Sequence, residues 1–379
     1  MTQDPFQNLP AAAAAFEIPG KFRFAEPCGK GHIHATFRAV FMENGREAQY
    51  LFQRLNNNVF HDIPRLMENM VRVTTHIRQK MEGECPHEPL EGEAPTSRMD
   101  LRRRVIHLIP ARNGAHFHLD EHGDYWRCYH FIDRVRVLEC VKTPDDARVI
   151  ARAWGEFLVA LDSFPTRELH ETIPDFHHTP KRLDAFEDAV RRDPCKRAAE
   201  VADEIAFVRA HRSLAPLVVD ALACGGVPLR ATHNDTKANN VLIDEKTGRG
   251  ICVLDLDTCM PGSMLHDFGD MVRSVLGGSE DERDLTQVPF RMDLYAALAE
   301  GYIEVAGPLL TPRERELLHL AGPLMTFECG ARFLTDYLDG DHYFKTHRPG
   351  HNLDRCRVQF HLVREMEARA DAMRAVSGA

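Results

Sequence analysis

The sequence predicts an α+β protein of two lobes, and three observations carry that reading. From Phe22 to about Ile132 the chain is strand-like, with one helix inserted. From Thr143 onward it is mainly helical, with apolar residues spaced for one helix face. A short β interruption near residues 241–256 breaks the helical part, and polar side chains gather around it.

Residues 1–20 are Ala, Pro and polar, and read as a loose or separately docked arm. Residues 36–42 (Thr-Phe-Arg-Ala-Val-Phe-Met) and Tyr50–Leu55 read as strands. A helix follows from Ile63 to about Lys80, where Leu66, Met67, Met70, Val71 and Ile77 recur at helical spacing. Residues 82–98 are a Pro/Gly/Glu-rich loop. Val105–Ile109 and Tyr125–Ile132 read as strands joined through the turn-rich Asp120–Asp124. Thr143-Pro144-Asp145-Asp146 then opens a helix, with Thr143 as N-cap, Pro144 at the first position and acids in the first turn. Ile150, Trp154, Phe157, Leu158 and Leu161 fall on its apolar face. The β interruption pairs Val241–Ile243 with Ile251–Leu256 across a Gly-containing turn at 245–250. The expected division is an arm at 1–20, a first lobe at 21–135 and a helical lobe at 136–379.

The chain has 379 residues, 44% hydrophobic and 27% charged, as an ordinary globular protein does. Its formal net charge of −10 argues against nucleic-acid and anionic-membrane partners, which need basic surface to neutralise phosphate. The Arg102-Arg103-Arg104 run reads as a solvated strand or loop edge. The 10 cysteines form no Cys-x-x-Cys pair, which argues against a zinc site, and a chain of this size needs no disulfide staples. His116, His118 and His122 read as a surface hairpin. No basic region precedes the Ala11–Ala15 run, and no apolar run is long enough to span a bilayer, so a reduced cytoplasmic location is expected. Oligomeric state is open.

Residues 233–240 read His-Asn-Asp-Thr-Lys-Ala-Asn-Asn, directly before the β interruption, and Asp255 and Asp257 follow it. An acid, an amide and further acids thus surround one apolar hairpin. Phosphoryl transfer from Mg-ATP needs such a set: a carboxylate to orient the attacking hydroxyl, oxygen ligands for a hard cation, and a positive group against the transferring phosphoryl.

These residues resemble the protein-kinase-like superfamily, whose catalytic loop has the form H-x-D-x-x-x-x-N. His233, Asp235 and Asn240 match it, Lys237 falls where many kinases keep a phosphate-contacting lysine, and Asp255 ends the apolar strand as the metal-binding acid should. Asp267-Phe268-Gly269 spells the protein kinase metal motif, but Met264–Leu276 reads as a helix; Asp267 and Asp270 are expected to cap or brace the loop. There is no Ala-Pro-Glu triplet, no Val-Ala-Ile-Lys strand and no His-Arg-Asp. The aminoglycoside phosphotransferase and choline kinase group fits better. Within it the chain resembles bacterial N-acetylhexosamine 1-kinases, through Gly29-Lys30-Gly31-His32-Ile33, Phe52-Gln53-Arg54-Leu55-Asn56, Leu66-Met67-Glu68-Asn69, Tyr125-Trp126-Arg127, Thr232–Asn240, residues 254–262 and residues 328–344.

That resemblance implies a protein-kinase-like fold, with a β-rich nucleotide-binding lobe and a helical lobe carrying the catalytic loop and sugar site. It implies transfer of the γ-phosphate of ATP to the C1 hydroxyl of GlcNAc or GalNAc, with Mg2+. Asp235 would be the base and Lys237 a phosphate contact, with Asn240 and Asp255 on the metal and His233 bracing the loop. Gly29 and Gly31 would let backbone approach the phosphates, and Tyr129–Ile132, including Phe131, would form the adenine hinge. The third strand offers no lysine; Arg54 is the candidate cation, with Gln53 as a competing alignment and Glu68 as Arg54's partner. Asp257 would join the metal or contact sugar. Arg332, Asp336 and Tyr343 are further sugar-contact candidates, Arg332 and Asp336 sharing a helix face. The rival readings are a kinase for an amino-alcohol, an aminoglycoside or another metabolite, and an inactive kinase-like binding module.

Overall fold

The computed structural model describes residues 5–29, 33–84, 98–278 and 281–378. Helix α1 (Pro5–Ala14) precedes β1 (Lys21–Pro27), β2 (Ala35–Glu43) and β3 (Arg46–Leu55), then α2 (Ile63–Glu84) and α3 (Arg98–Arg104), then β4 (His118–Leu119) and β5 (Tyr125–His130). These strands form one antiparallel sheet in the order β1-β2-β3-β5-β4. Strand alternation divides its side chains between two faces. Tyr50, Phe52, Trp126 and Cys128 point outward and are buried under Leu9, Ala12, Ala13 and Phe16, so residues 9–18 complete a core and are not a loose arm. Each such large side chain contributes roughly 1.5–3 kcal/mol by leaving water. Leu51, Leu55 and Tyr129 face inward, onto the cluster that contains α2's Leu66, Met67 and Met70.

Two expectations in this part are corrected. Val105–Ile109 is not a strand: helix α3 precedes it, and only an isolated bridge from Leu108 to Tyr129 joins it to β5. The arginine run lies on α3, where Arg103 pairs with Asp244 at 2.8 Å and donates to the Asp133 carbonyl at 3.0 Å. Most of the 82–98 loop lies outside the described residues.

The second part begins with β6 (Val135–Arg136) and α4 (Pro144–Leu161). Thr143 caps α4, its hydroxyl accepting from the Asp146 N–H, and Ile150, Trp154 and Leu158 are buried. Helices α5 (Thr179–Arg192), α6 (Ala202–Ala210) and α7 (Leu217–Ala223) follow. Then come β7 (Arg230–Thr232), β8 (Val241–Asp244), β9 (Gly250–Val253) and β10 (Met260–Gly262). The chain ends in α8 (Met264–Leu276), α9 (Met292–Ala306), α10 (Pro312–Asp339), α11 (His351–Glu367) and α12 (Ala370–Ser377). The β interruption is larger than expected, because β6 joins the β8–β9 hairpin and β7 pairs with β10. Helix α10 starts with a capping box between Thr311 and Glu314. It runs against α8 so closely that a Cβ on Gly269 would overlap the Ala321 carbonyl, which explains the glycine of the Asp267-Phe268-Gly269 triplet as a helix-packing residue. The architecture is a β-sheet first part and a mostly helical second part, the kinase-like arrangement.

Candidate active site

The loop between β7 and β8 is pinned at Asn234, whose φ of 64° is left-handed and disfavoured for a residue with a side chain. Asp267 accepts from the backbone N–H of His233 at 3.0 Å and of Asn234 at 2.7 Å. The Asn234 amide donates to the carbonyls of Thr232 and Thr258. His177 faces the Asn234 carbonyl with Nε2 at 2.8 Å. Gly262 has no room for a Cβ against the Thr232 and Asn234 side chains. His233 is buried, with Nε2 on the Leu254 carbonyl at 2.9 Å and its ring 4.6 Å from Trp154, the bracing position expected of it. Asp267 therefore holds the loop from α8, and Asp270 pairs with Arg273 at 2.8 Å. Burial pushes the Asp267 carboxyl up to about 7, against the pull of its two backbone N–H bonds.

Asp235 follows this pinned residue. Its carboxylate meets Lys237 Nζ at 2.9 Å, and Asn240 Nδ2 donates to the Asp235 carbonyl at 3.0 Å. Burial opposes ionisation of Asp235, but Lys237, His233 and Arg273 hold its carboxyl below the ordinary value. Strand β9 ends at Val253, earlier than expected, because the Leu254 N–H turns to the Asn240 carbonyl at 2.8 Å. Asp255 then takes a left-handed φ of 58°, and Leu256–Thr258 form a single 3-10 turn. Burial, then Asp257 and Asp235, push the Asp255 carboxyl up to about 8. Crowded carboxylates of this kind fit a divalent cation, whose charge would reverse the shift. Asn240 and Asp255 can supply its hard oxygen donors.

Asp257, expected on the metal or the sugar, is tied inside the protein. It is 1% exposed. Arg127 Nη2 meets its Oδ2 at 2.9 Å, Arg127 Nη1 meets Oδ1, and His34 Nε2 lies 2.8 Å from Oδ2. Burial would raise the Asp257 carboxyl, but Arg127 and His34 outweigh it and hold it well below the usual range. Ligand atoms of His34, Asp255 and Asp257 all lie within 4.8 Å of one another.

The N-terminal candidates are also revised. Arg54 has the parity of Tyr50 and Phe52, so it lies on the outer face, where it pairs with Asp124 at 3.0 Å. The inward side chain is Gln53, opposite Arg127, whose Nε donates to Gln53 Oε1 at 2.8 Å. The buried cation nearest Asp255 and Asp257 thus comes from β5, not β3. Glu68 is exposed and bonds His170 at 2.7 Å, not Arg54. Its neighbour Asn69 is the buried one, donating to the carbonyls of His170 and Cys259. Gly29 has a φ of 79° and open space around it, in the turn between β1 and β2; Gly31 lies outside the described residues. The Phe131 N–H, in the expected hinge, donates to the Gln49 carbonyl at 3.1 Å.

On the far side of the loop, the Arg332 guanidinium lies over the rings of Phe176 at 5.2 Å, Tyr343 at 5.7 Å and Phe344 at 5.6 Å. Asp336, a sugar-contact candidate, supports the loop that follows α10. Its Oδ1 accepts from the N–H of His342 and Tyr343, and its Oδ2 from the N–H of Phe344 and from Asn352. It thereby fixes Tyr343, which is 59% exposed, beside Arg332. Phe176 precedes His177, which places this aromatic cluster next to the loop between β7 and β8.

The residues the sequence reasoning missed are His34, Arg127, His177 and Glu328. For Arg127 a signal existed: it is a charged residue between Trp126 and Cys128, on the face opposite to both. His177 and Glu328 carry none, since 151 residues separate them.

Three solved structures share this fold. A microcompartment-associated aminopropanol kinase superposes with a TM-score of 0.64 at 16% identity, over 97% of this chain and 98% of the other. An aminoglycoside phosphotransferase from Alicyclobacillus acidocaldarius gives 0.61 at 12% identity, over 97% and 96%. A spectinomycin phosphotransferase, in complex with ADP and spectinomycin, gives 0.57 at 13% identity, over 97% and 99%. At these identities the likeness is one of fold. The family model described as phosphotransferase enzyme family (APH) matches residues 107–318, more than half of the chain and all of the loop from His233 to Asp257, and the chain belongs to that family.

Proposed function

We propose that this chain is a small-molecule kinase that transfers the γ-phosphoryl of ATP to the C1 hydroxyl of an N-acetylhexosamine, giving the sugar 1-phosphate and ADP. The observation that carries the phosphotransfer reading is the gathering of Asp235, Lys237, Asn240 and Asp255 around one pinned loop. Asp235, held ionised by Lys237, orients the acceptor hydroxyl and takes its proton. An anomeric hydroxyl is more acidic than an ordinary alcohol, so a carboxylate suffices as base in a loose transition state. Lys237 then offsets charge on the transferring phosphoryl. Asn240 and Asp255 would hold Mg2+, which when bound neutralises phosphate charge. The family membership and the ADP in the spectinomycin phosphotransferase support a nucleotide donor bound in the first part, residues 21–135, with the acceptor bound in 136–379.

The acceptor wall supports a sugar over an amine. The Arg332 guanidinium, lying over Phe176, Tyr343 and Phe344, already occupies these aromatic faces with a positive charge and so disfavours a cationic acceptor beside it. Glu328, one turn before Arg332 on α10, is already bonded to His177 and Thr179, and Asp175, beside Phe176, pairs with Lys181. The test is a panel of N-acetylhexosamines, other sugars, amino-alcohols and aminoglycosides with ATP and Mg2+, products read by phosphorus NMR. The expected product is an anomeric phosphate, with turnover abolished by EDTA. Phosphate on a primary hydroxyl, or turnover of amines alone, would overturn the 1-kinase reading.

A further inference from the structure

His177 lies outside the kinase loop motif, yet it joins three elements at the catalytic loop. It is almost fully buried, its side chain 7% exposed. Its Nδ1 is 2.9 Å from Glu328 Oε1 on α10, and its Nε2 is 2.8 Å from the Asn234 carbonyl. Both partners are acceptors only, so both ring nitrogens must carry a proton for both bonds to exist. Glu328 is in turn fixed, its Oε2 accepting from Thr179 Oγ1 at 2.5 Å. We propose that His177 is an imidazolium that positions Asp235, clamping the Asn234 carbonyl to Glu328 and so tying the catalytic loop to the helix that carries Arg332.

The loop needs such a clamp. Asn234 is held in the left-handed region, which residues other than glycine adopt uncommonly. Asp267 secures its N–H from α8, and His177 secures its carbonyl from the opposite side. Among the groups around the ring, the acids prevail. From α10 come Glu328, which favours the cation, and Arg332 behind it. From α8 come Asp270 and Asp267, which also favour the cation, and His266, whose ring is 5.2 Å away. Burial, then His177, hold His266 down at about 3, so it adds no competing charge near neutrality. From α5 comes Arg182, which donates to the Phe176 carbonyl. Burial alone would lower the His177 pKa, but Glu328 outweighs it and the pKa is raised; burial likewise works against the Glu328 carboxylate, yet His177 holds it down at about 2.

The sign follows. With the pKa raised, the clamp is complete at low and neutral pH and is lost as pH rises through the folded pKa. When the ring loses one proton, the remaining N–H stays with the charged Glu328, and the Nε2 lone pair then faces the Asn234 carbonyl oxygen. That contact is repulsive, and Asp235 loses its position.

The proposal rests on Asp235 being the base, but its primary test needs no substrate. Ring nitrogen shifts of His177 in the full-length chain, assigned by their loss in His177→Gln, are followed from about pH 6 to about pH 9 together with the Asp235 backbone amide. The ring should be doubly protonated at neutral pH, and the Asp235 amide should move with the same midpoint. In Glu328→Gln both midpoints should fall together by more than about one unit, and the basic limb of the kcat profile with them, so that kcat is lower by about tenfold above the new midpoint while KM for ATP stays within about twofold. A neutral His177 ring at neutral pH, or an Asp235 amide that ignores its titration, would overturn the proposal. If Glu328→Gln does not fold, the wild-type titration decides alone. Undiminished turnover in Asp235→Asn would instead remove the base assignment, leaving the shared midpoint intact.

Discussion

Arg127→Met replaces a guanidinium by an apolar side chain of similar length at a site that is 1% exposed. The substitution removes both bonds to Asp257 and the bond to Gln53. It leaves the Asp257 carboxylate, also 1% exposed, with His34 as its remaining side-chain partner. Removing one member of a buried ion pair costs about 3–5 kcal/mol, because the other charge stays out of water uncompensated. A chain of this length has an unfolding entropy of about 0.8 kcal/mol/K, so the melting temperature should fall by about 4–6 °C in calorimetry. Arg127→Met with Asp257→Leu should regain most of this, since neither charge is then stranded, and the cycle should show a coupling of about 2 kcal/mol or more. Arg54→Met breaks a pair that is a quarter exposed and should cost about 1 kcal/mol or less, roughly 1 °C. A loss below about 1 °C for Arg127→Met, or additivity in the cycle, would refute the reading of Arg127 as the buried cation that ties the sheet to the loop after β9.

Asp235→Asn should lower kcat by about 10²–10⁴-fold while ATP affinity, read by calorimetric titration, survives. Near wild-type turnover would show that another group takes the proton. Gly262→Ala pushes a methyl into the Thr232 and Asn234 side chains that pin the loop. It should cost about 1–3 kcal/mol of stability and, by shifting Asp235, about ten- to hundredfold in kcat with KM for ATP little changed. A stable variant with unaltered kcat would detach loop geometry from rate.

Local pattern revealed the parts of this protein that local chemistry dictates. The cap at Thr143, the helical spacing of α2 and the hairpin around residues 241–253 follow from residues close in sequence, and so do Asp235, Lys237 and Asn240, within one short loop. The strand at Val105–Ile109 misled because apolar residues beside β5 look the same whether they pair as a ladder or bridge once. The internal bonds of Asp257 and Asp336 were not legible, because a carboxylate's chemistry does not say whether its oxygens meet a ligand or the protein's own N–H groups.

The sequence by itself determined the two-lobed plan and the candidate loop at 233–240, because hydrophobic period, caps and a short motif are encoded within a few residues of one another. Only the tertiary structure decided which groups hold that loop and where the buried cation comes from. Strand parity turned Arg54 outward and Gln53 inward, a matter of register within the sheet. The ties from Arg127 to Asp257 and from Glu328 through His177 to Asn234 join residues 57 to 151 positions apart, and burial gives each its strength. No periodicity in a chain reports such a meeting, since it exists only once separate elements have packed.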